Sequence, residues 1–243
     1  MLEAADLTIP ARLSAVTAQI TPGQVTAICG PNGAGKSTLL AALAGLIAPT
    51  SGTVTLAGQP LAQILPEDRA RRIGYLPQTA GVAWNIAVRT LVALGRLPHR
   101  TSAAENARAV NEALAALQIE PLADRPLASL SGGERARALL ARVLATRPEW
   151  ILADEPLAAL DLAHQQSLIR RLRALAAEGT GVVLVIHDLA LAMNHADHVI
   201  VLNHGHLAAQ GPPESALSQQ VIADVWNLQG RWLGEPGHKA LAL

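Results

Sequence analysis

The chain has 243 residues, of which 50% are hydrophobic and 16% charged, and its 19 Lys and Arg residues balance its 19 Asp and Glu residues. This composition excludes an intrinsically disordered protein, which would hold fewer apolar residues and more charge. Zero net charge argues against capture of nucleic acid or anionic lipid by the whole surface, so any anion-binding site is expected to be local.

Nothing in the N-terminal sequence MLEAADLTIP resembles a secretory signal, because no basic segment precedes an apolar one. Residues 37–66 carry no charge, but their longest apolar run, residues 39–48, is about ten residues long against the roughly 20 that span a bilayer. The single cysteine, Cys29, cannot form an internal disulfide, which fits a reducing compartment. These features predict a protein on the cytosolic side.

The first chemical motif lies between a predicted strand at residues 25–29 and a predicted helix at residues 38–46. The sequence GPNGAGKS at residues 30–37 matches the phosphate-binding pattern G-x-x-x-x-G-K-[ST] in the strand, loop and helix context that the pattern requires. Its glycines let backbone N–H groups point at phosphate oxygens, and the helix N-terminus adds positive potential. We expect Lys36 to reach the β- and γ-phosphates and Ser37 to ligate Mg²⁺. The expected nucleotide-binding residues of this loop are Gly30, Pro31, Asn32, Gly33, Ala34, Gly35, Lys36, Ser37 and Thr38.

The middle of the chain predicts a helical insertion. Polar and apolar residues alternate at 53–56, as in a half-exposed strand. From residue 79 to 147 the strand signal disappears and helical spacing replaces it, for example in Val110, Leu114 and Leu117. The last helix of this region is expected to end before Pro148.

After Pro148 strands and helices alternate again. Residues 150–153 and 182–186 are apolar on both faces, which is typical of buried parallel strands, and residues 199–202 and 207–209 predict a hairpin. Two carboxylates follow the first of these strands. Asp154 is suited to hold Mg²⁺, and Glu155 is suited to accept a proton from water.

A third motif, LSGGE at residues 130–134, lies at the start of the last helix of the predicted insertion. With this motif, nearly the whole chain resembles the ATP-binding cassette (ABC) family. The resemblance implies that Gln78, in YLPQ at 75–78, belongs to the Q-loop, that Leu160 and Asp161 end the D-loop, and that His187 is the switch histidine. The implied catalytic residues are Glu155, His187, Gln78 and Lys36, and the implied metal ligands are Ser37, Gln78 and Asp154.

The same resemblance implies an α/β fold. It consists of a P-loop NTPase (RecA-like) core sheet, an N-terminal antiparallel β subdomain and an all-helical insertion. We expect one domain over residues 1–243, with residues 1–78 and 148–243 forming the nucleotide-binding core and residues 79–147 forming the helical subdomain that bears the signature.

The family pairs two copies head to tail around ATP, so the resemblance implies that Ser131, Gly132 and Gly133 bind the nucleotide held by a second copy. A helix N-terminus at these residues would form a second anion site. The implied cofactors are ATP and Mg²⁺. The implied partners are a second copy, integral-membrane permease subunits and, indirectly, an extracytoplasmic substrate-binding protein, with no nucleic acid. The expected location is peripheral, at the cytoplasmic face of the inner membrane.

Within the family, residues 92–100 (VALGRLPHR) lie where a cassette meets its membrane partner, and they resemble motors that import ferric siderophores, haem and cobalamin. The other interpretation of this stretch is a generic exposed helix end. Residues 221–238 also resemble the tail of that subgroup. The expected function is therefore an ATP-hydrolysing motor subunit of an importer for an iron chelate, haem or cobalamin.

The alternative is a soluble ABC-type ATPase that acts in nucleic-acid repair or translation without a permease. Arginines 135, 137, 142, 147, 170, 171 and 173 would form its binding face. We expect them to be solvated surface instead, because no aromatic residues that could stack on bases are interleaved with them. Such proteins also usually carry a long coiled coil or a second cassette, for which 243 residues leave no room.

Two departures from the family pattern concern the nucleotide site. Cassettes usually place an aromatic residue where it stacks on adenine, but residues 1–35 contain none, and the chain has no Phe. We hypothesise that the guanidinium of Arg12, or an apolar neighbour, covers the base instead. The D-loop has Ala158 where the family commonly has serine, which predicts altered communication between two ATP sites.

Overall fold

The computed structural model describes residues 1–78 and 85–243. The strands are β1 (Leu2–Ile9), β2 (Leu13–Ile20), β3 (Val25–Cys29), β4 (Ser51–Leu56), β5 (Gln59–Pro60), β6 (Ile73–Leu76), β7 (Trp150–Asp154), β8 (Gly181–Val185), β9 (His198–Asn203), β10 (His206–Gly211), β11 (Arg231–Leu233) and β12 (Ala240–Ala242). The α-helices are α1 (Lys36–Leu43), α2 (Pro66–Arg72), α3 (Val88–Ala93), α4 (Ala103–Ala116), α5 (Gly132–Ala145), α6 (Leu162–Ala177), α7 (Leu189–His195), α8 (Pro213–Ala216) and α9 (Gln219–Trp226).

A six-stranded sheet in the order β10-β9-β3-β8-β7-β6 forms the centre of the fold. All neighbouring strands are parallel except β10, which pairs antiparallel with β9 as the predicted hairpin. Every residue of β3, β7 and β8 is buried, as expected for strands covered on both faces. The loops that follow β3, β6, β7 and β8 leave the same edge of the sheet, where ligands bind in open α/β folds.

Successive residues of the central strands belong to two hydrophobic cores, one on each face of the sheet. Ile151 packs in a core that includes residues of α5 and α6, whereas its neighbour Leu152 packs in a core that includes α1. A second, antiparallel sheet in the order β2-β1-β4-β5 also contributes buried residues to the core that includes α1. The alternation arises because successive side chains of a strand point to opposite faces of the sheet.

The helical insertion is formed, in its described part, mainly by α3, α4 and α5, which pack on one another. Arg96 is buried at its centre, where Nη1 donates to the backbone oxygen of Ala145 and Nε donates to Oδ1 of Asn106, both at 2.9 Å. Gly95 allows the segment after α3 to approach the backbone of α5 closely, because a Cβ at this position would lie 2.1 Å from the backbone oxygen of Arg142.

These observations confirm the predicted fold: a parallel α/β core, an N-terminal antiparallel sheet and a helical insertion. The first six residues of the expected insertion, 79–84, lie outside the described residues, so its boundaries stay a prediction. The described parts of the chain contain no helix that is both long and apolar enough to span a bilayer.

Candidate nucleotide-binding and hydrolytic site

The glycine-rich loop runs from the carboxyl end of β3 to the start of α1. Lys36 is the first residue of α1 and is buried, with Nζ donating to the backbone oxygens of Gly30 and Pro31, each at 2.9 Å. Gly30 has φ 147°, and a Cβ at this position would lie 2.2 Å from the backbone oxygen of Leu202. The loop is therefore curled around the ammonium group in the way its glycines predict.

Burial lowers the pKa of Lys36, while Glu155, Cys29 and Asp154 oppose this shift by favouring the charged ammonium. A bound triphosphate would favour the charged form further, because it adds negative charge at the same place. Cys29, directly before the loop, has its thiol pKa raised by burial to about 12. That thiol therefore stays protonated and is not a nucleophile.

A cavity of about 230 Å³ opens above this loop. It is lined by Arg12, Asn32, Gly33, Ala34, Gly35, Lys36, Ser37, Thr38, Gln78, Glu155 and His187. The structure thus brings most of the predicted loop residues together with the predicted Q-loop, general-base and switch residues. Gly30 and Pro31 are not part of the lining and instead hold Lys36 from below.

Glu155 and His187 face each other at the ends of β7 and β8. His187 Nε2 lies 2.6 Å from Glu155 Oε1, and the glutamate side chain is only 17% exposed. Glu155 adopts φ 51°, a left-handed backbone conformation that is costly for a residue with a Cβ. Such strain is often found at functional sites, and here it occurs at the carboxylate that lines the cavity.

Asp154 lies beneath the cavity at the end of β7 and is 3% exposed. Burial raises the pKa of its carboxyl group, and the side chain of Ser37 and the charge of Lys36 partly offset the shift. Among residues 1–78 and 85–243, Oδ1 of Asp154 has no hydrogen-bond partner. A buried carboxylate oxygen without a partner beside a hydroxyl is a donor set that suits a hard cation such as Mg²⁺.

The LSGGE segment lies at the N-terminus of α5. Ser131 caps the helix: its side chain accepts from the N–H of Glu134, while its own N–H donates to Glu134 Oε2 at 2.8 Å. This backbone hydrogen bond is the main reason that the pKa of Glu134 is lowered. Ser131 and Gly132 are exposed, and a Cβ at Gly132 would contact nothing described. The residues described as lining the loop cavity include none of Ser131, Gly132 and Gly133.

With this geometry established, a comparison with protein families decides the assignment, because the family model described as ABC transporter matches residues 13–158. The chain belongs to the ABC transporter family. Among its relatives, the hemin import ATP-binding protein HmuV of Rhodococcus jostii is 46% identical over 216 residues, covering 88% of this chain and 74% of that protein. HmuV of Pseudomonas entomophila is 40% identical over 223 residues, covering 89% and 87%.

Solved structures of ABC proteins agree with this assignment. The dimeric post-hydrolysis structure of the ATP-binding cassette MJ0796 with ADP and Pi has a TM-score of 0.80 at 28% identity, covering 88% of this chain and 99% of that one. A structure assigned to a metal-chelate type ABC transporter in an inward-facing conformation has a TM-score of 0.83 at 26% identity, covering 99% and 95%. The motif-based resemblance is confirmed, and this ABC protein is an ATP-binding subunit and ATP hydrolase.

The prediction that these arginines form solvated surface holds for only part of the set. Arg147 and Arg173 are exposed, as predicted. Each also has a partner within the chain: Arg147 Nη2 donates to Glu112 Oε2 at 2.6 Å, and Arg173 donates to the backbone oxygen of His195. Burial also lowers the pKa of Arg142. Arg142 is therefore less solvated than the sequence predicts, whereas Arg147 and Arg173 are solvated but already paired within the chain.

The stretch at 92–100 is also only partly a surface of this ABC protein. Val92, Gly95 and Arg96 are buried, and the arginine is occupied by hydrogen bonds within the insertion. Leu97, in contrast, is 77% exposed. No local pattern in the sequence separates the buried arginine from the exposed leucine, because the difference depends on where α4 and α5 pack.

Proposed function

We propose that this chain is the ATP-hydrolysing motor subunit of a haem importer, acting as two head-to-tail copies beneath integral-membrane permease subunits. The observation that carries the proposal is 46% identity over 88% of the chain to a protein named as a hemin import ATP-binding protein. The soluble repair or translation ATPase is not supported, since the relatives compared above are import proteins. Siderophores and cobalamin remain the other cargoes that the sequence predicts.

Two copies are proposed because the two segments suited to bind anions do not line the same cavity in one chain. The loop around Lys36 would bind the phosphates of one ATP, and Ser131, Gly132 and Gly133 would bind the γ-phosphate of the ATP on the other copy. The structure of the cassette MJ0796 with ADP and Pi, which is described as dimeric, supports an assembly of two copies. Hydrolysis would remove the γ-phosphate that both copies hold, and the dimer would then open.

The catalytic roles follow from the contacts of the cavity residues. Lys36 would exchange its two backbone carbonyl partners for phosphate oxygens. Glu155 would accept the proton of the attacking water, and His187 would hold the glutamate carboxylate in place. Ser37, Asp154 and Gln78 would hold Mg²⁺, which supplies Lewis-acid stabilisation of charge on the phosphates.

The docking surface for the permease is proposed around Leu97. This leucine is exposed at the edge of a cavity of about 450 Å³ that lies between the α3 region and α4. The cavity is lined by Arg89, Ala93, Arg96, Leu97, His99, Asn106, Ala107 and Val110. An exposed apolar side chain beside a groove is suited to a short helix of a membrane partner. In this proposed assembly the protein would be a peripheral subunit at the cytoplasmic face of the membrane.

Replacing Leu97 with Asp should reduce co-purification of the permease by about tenfold or more, because burying one leucine contributes about 1.5–3 kcal/mol to an interface. ATP hydrolysis by the isolated chain should not change. The matched control is Leu243→Asp, since this leucine is equally exposed, at 79%, but lies at the far end of the chain. Equal permease recovery from both variants would place the docking surface elsewhere.

Arg12 lies in the turn between β1 and β2 and lines the cavity. The backbone of this turn packs against the glycine-rich loop, because a Cβ at Gly35 would lie 2.7 Å from the backbone oxygen of Arg12.

We expect Arg12→Ala to weaken ATP binding by about two- to fivefold, the contribution of an exposed cation–π contact. Arg12→Tyr should restore the affinity, because tyrosine also stacks on a base. Wild type should discriminate weakly between ATP and GTP. Fluorescence titration measures these nucleotide affinities, with Arg170→Ala as the exposed-arginine control. An unchanged affinity in Arg12→Ala would exclude Arg12 as the residue that covers the base.

The cargo is tested by reconstituting the chain with permease subunits in liposomes and supplying a binding protein loaded with haem, a ferric siderophore or cobalamin. We expect ATP-dependent uptake and stimulated hydrolysis with haem. Uptake of another chelate alone would keep the motor function and change the cargo. Hydrolysis that no permease stimulates would contradict the importer.

A further inference from the structure

Helix α7 connects the hydrolytic site to the C-terminal end of the chain. His187 comes directly before its N-cap residue, Asp188, whose carboxylate accepts hydrogen bonds from the N–H groups of Ala190 and Leu191 at 2.8 and 3.1 Å. A seven-residue helix is about 10 Å long, and hydrogen bonds along its backbone connect its two ends. A shift at the far end of α7 would therefore move the imidazole relative to Glu155.

The far end of α7 is clasped by the C-terminal hairpin of β11 and β12. Asn194 Oδ1 accepts from the backbone N–H of Lys239 at 2.7 Å, and Asn194 Nδ2 donates to the backbone oxygen of the same residue at 2.8 Å. The amide thus pairs with both polar groups of one residue, as a neighbouring strand would. We call this pair of hydrogen bonds the Asn194 clasp.

The hairpin itself is fixed to the body of the protein. Trp232 is half-buried, and its Nε1 donates to the backbone oxygen of Leu217 at 2.7 Å. Lys239 Nζ lies 3.4 Å from an exposed oxygen of Glu214, a contact that contributes little because such pairs are solvated. The backbone of Lys239 is therefore a firm anchor, and its side chain is not needed for the clasp.

We propose that Asn194 is a positioning residue for ATP hydrolysis: by clasping the backbone of Lys239 it fixes α7 and so holds the His187 imidazole against Glu155. The Nε2–Oε1 separation of 2.6 Å at the catalytic end is the contact that the clasp maintains. The inference rests on the proposed roles of Glu155 and His187. It also gives residues 227–243 a role, which is to anchor α7. These residues lie outside the part of the chain that the family model matches.

The direct test is Asn194→Leu, which keeps the approximate size of the side chain and removes both hydrogen bonds. We expect kcat to fall about tenfold, since small misplacements of catalytic groups have effects of this order or larger. KM and ATP affinity should not change, because the clasp residues do not line the cavity. Asn194→Asp keeps an acceptor for the Lys239 N–H, so its kcat should lie between those of Asn194→Leu and wild type. Lys239→Ala does not remove the backbone groups that Asn194 binds, so its kcat should equal that of wild type.

A double-mutant cycle with His187→Ala separates positioning from general stability. If Asn194 acts through the histidine, Asn194→Leu should cause no further fall in kcat when His187 is already Ala. Equal falls in both backgrounds, an unchanged kcat in Asn194→Leu, or a parallel loss of ATP affinity would overturn the proposal. If His187→Ala alone leaves kcat unchanged, the assignment of the switch histidine is wrong and the clasp falls with it. If Asn194→Leu does not fold, the comparison of Asn194→Asp with Lys239→Ala decides. The proposal expects a lower kcat in Asn194→Asp, and equal kcat values in the two variants would contradict it.

Discussion

Replacing Glu155 with Gln should lower the kcat of ATP hydrolysis by about 10²- to 10⁴-fold, the usual contribution of a general base, because an amide cannot accept the proton of water. The change is nearly isosteric, so the loop around Lys36 and ATP affinity should be preserved. Steady-state phosphate release and a nucleotide-binding titration measure the two effects separately.

The same variant should accumulate as an ATP-bound dimer, since the γ-phosphate that is proposed to join the two copies would not be removed. Light scattering after size-exclusion chromatography would detect it. Glu105→Gln, on the exposed surface of α4, is the matched control and should behave as wild type. A Glu155→Gln variant that stays monomeric at saturating ATP, even with permease present, would show that the two anion sites do not share a nucleotide.

Replacing Lys36 with Ala should weaken ATP binding by about 100-fold or more, because charge-assisted hydrogen bonds to phosphate are among the strongest in proteins. Lys36→Arg should not restore binding, since the planar guanidinium does not fit a buried position that holds a compact ammonium group. The loop also loses the donor that binds the carbonyls of Gly30 and Pro31.

Titration with a fluorescent ATP analogue checks this prediction. Lys239 is the only other lysine in the chain and is half-buried at the C-terminal hairpin, so Lys239→Ala is the natural control and should bind ATP as wild type does. An unchanged affinity in Lys36→Ala would mean that the glycine-rich loop is not the phosphate site.

The parts of this fold that were predictable are those specified by short-range patterns. Apolar runs gave β3, β7 and β8, and the glycine spacing gave the loop that surrounds Lys36. Residues that follow parallel strands meet at one edge of a sheet, so Glu155 and His187 could be expected close together.

Other features depend on contacts that no local pattern carries. The αL conformation of Glu155 belongs to a residue type that rarely adopts it, so the sequence gives no sign of it. Arg96 is buried because the backbone oxygen of Ala145, 49 residues away, accepts its Nη1 donor. Asn194 meets Lys239 across 45 residues of chain, and an asparagine near a helix end would ordinarily be assigned to capping.

Because Cys29 is buried and protonated, the chain should be almost unreactive toward thiol-specific reagents. Its thiol is fully shielded, with a pKa of about 12, so maleimide or spin-label chemistry at neutral pH has no native target. A cysteine introduced at an exposed site such as Leu97 would then be a unique attachment point without any background substitution. Pairs of such labels on two copies would report their separation through a complete turnover by fluorescence transfer or electron spin resonance.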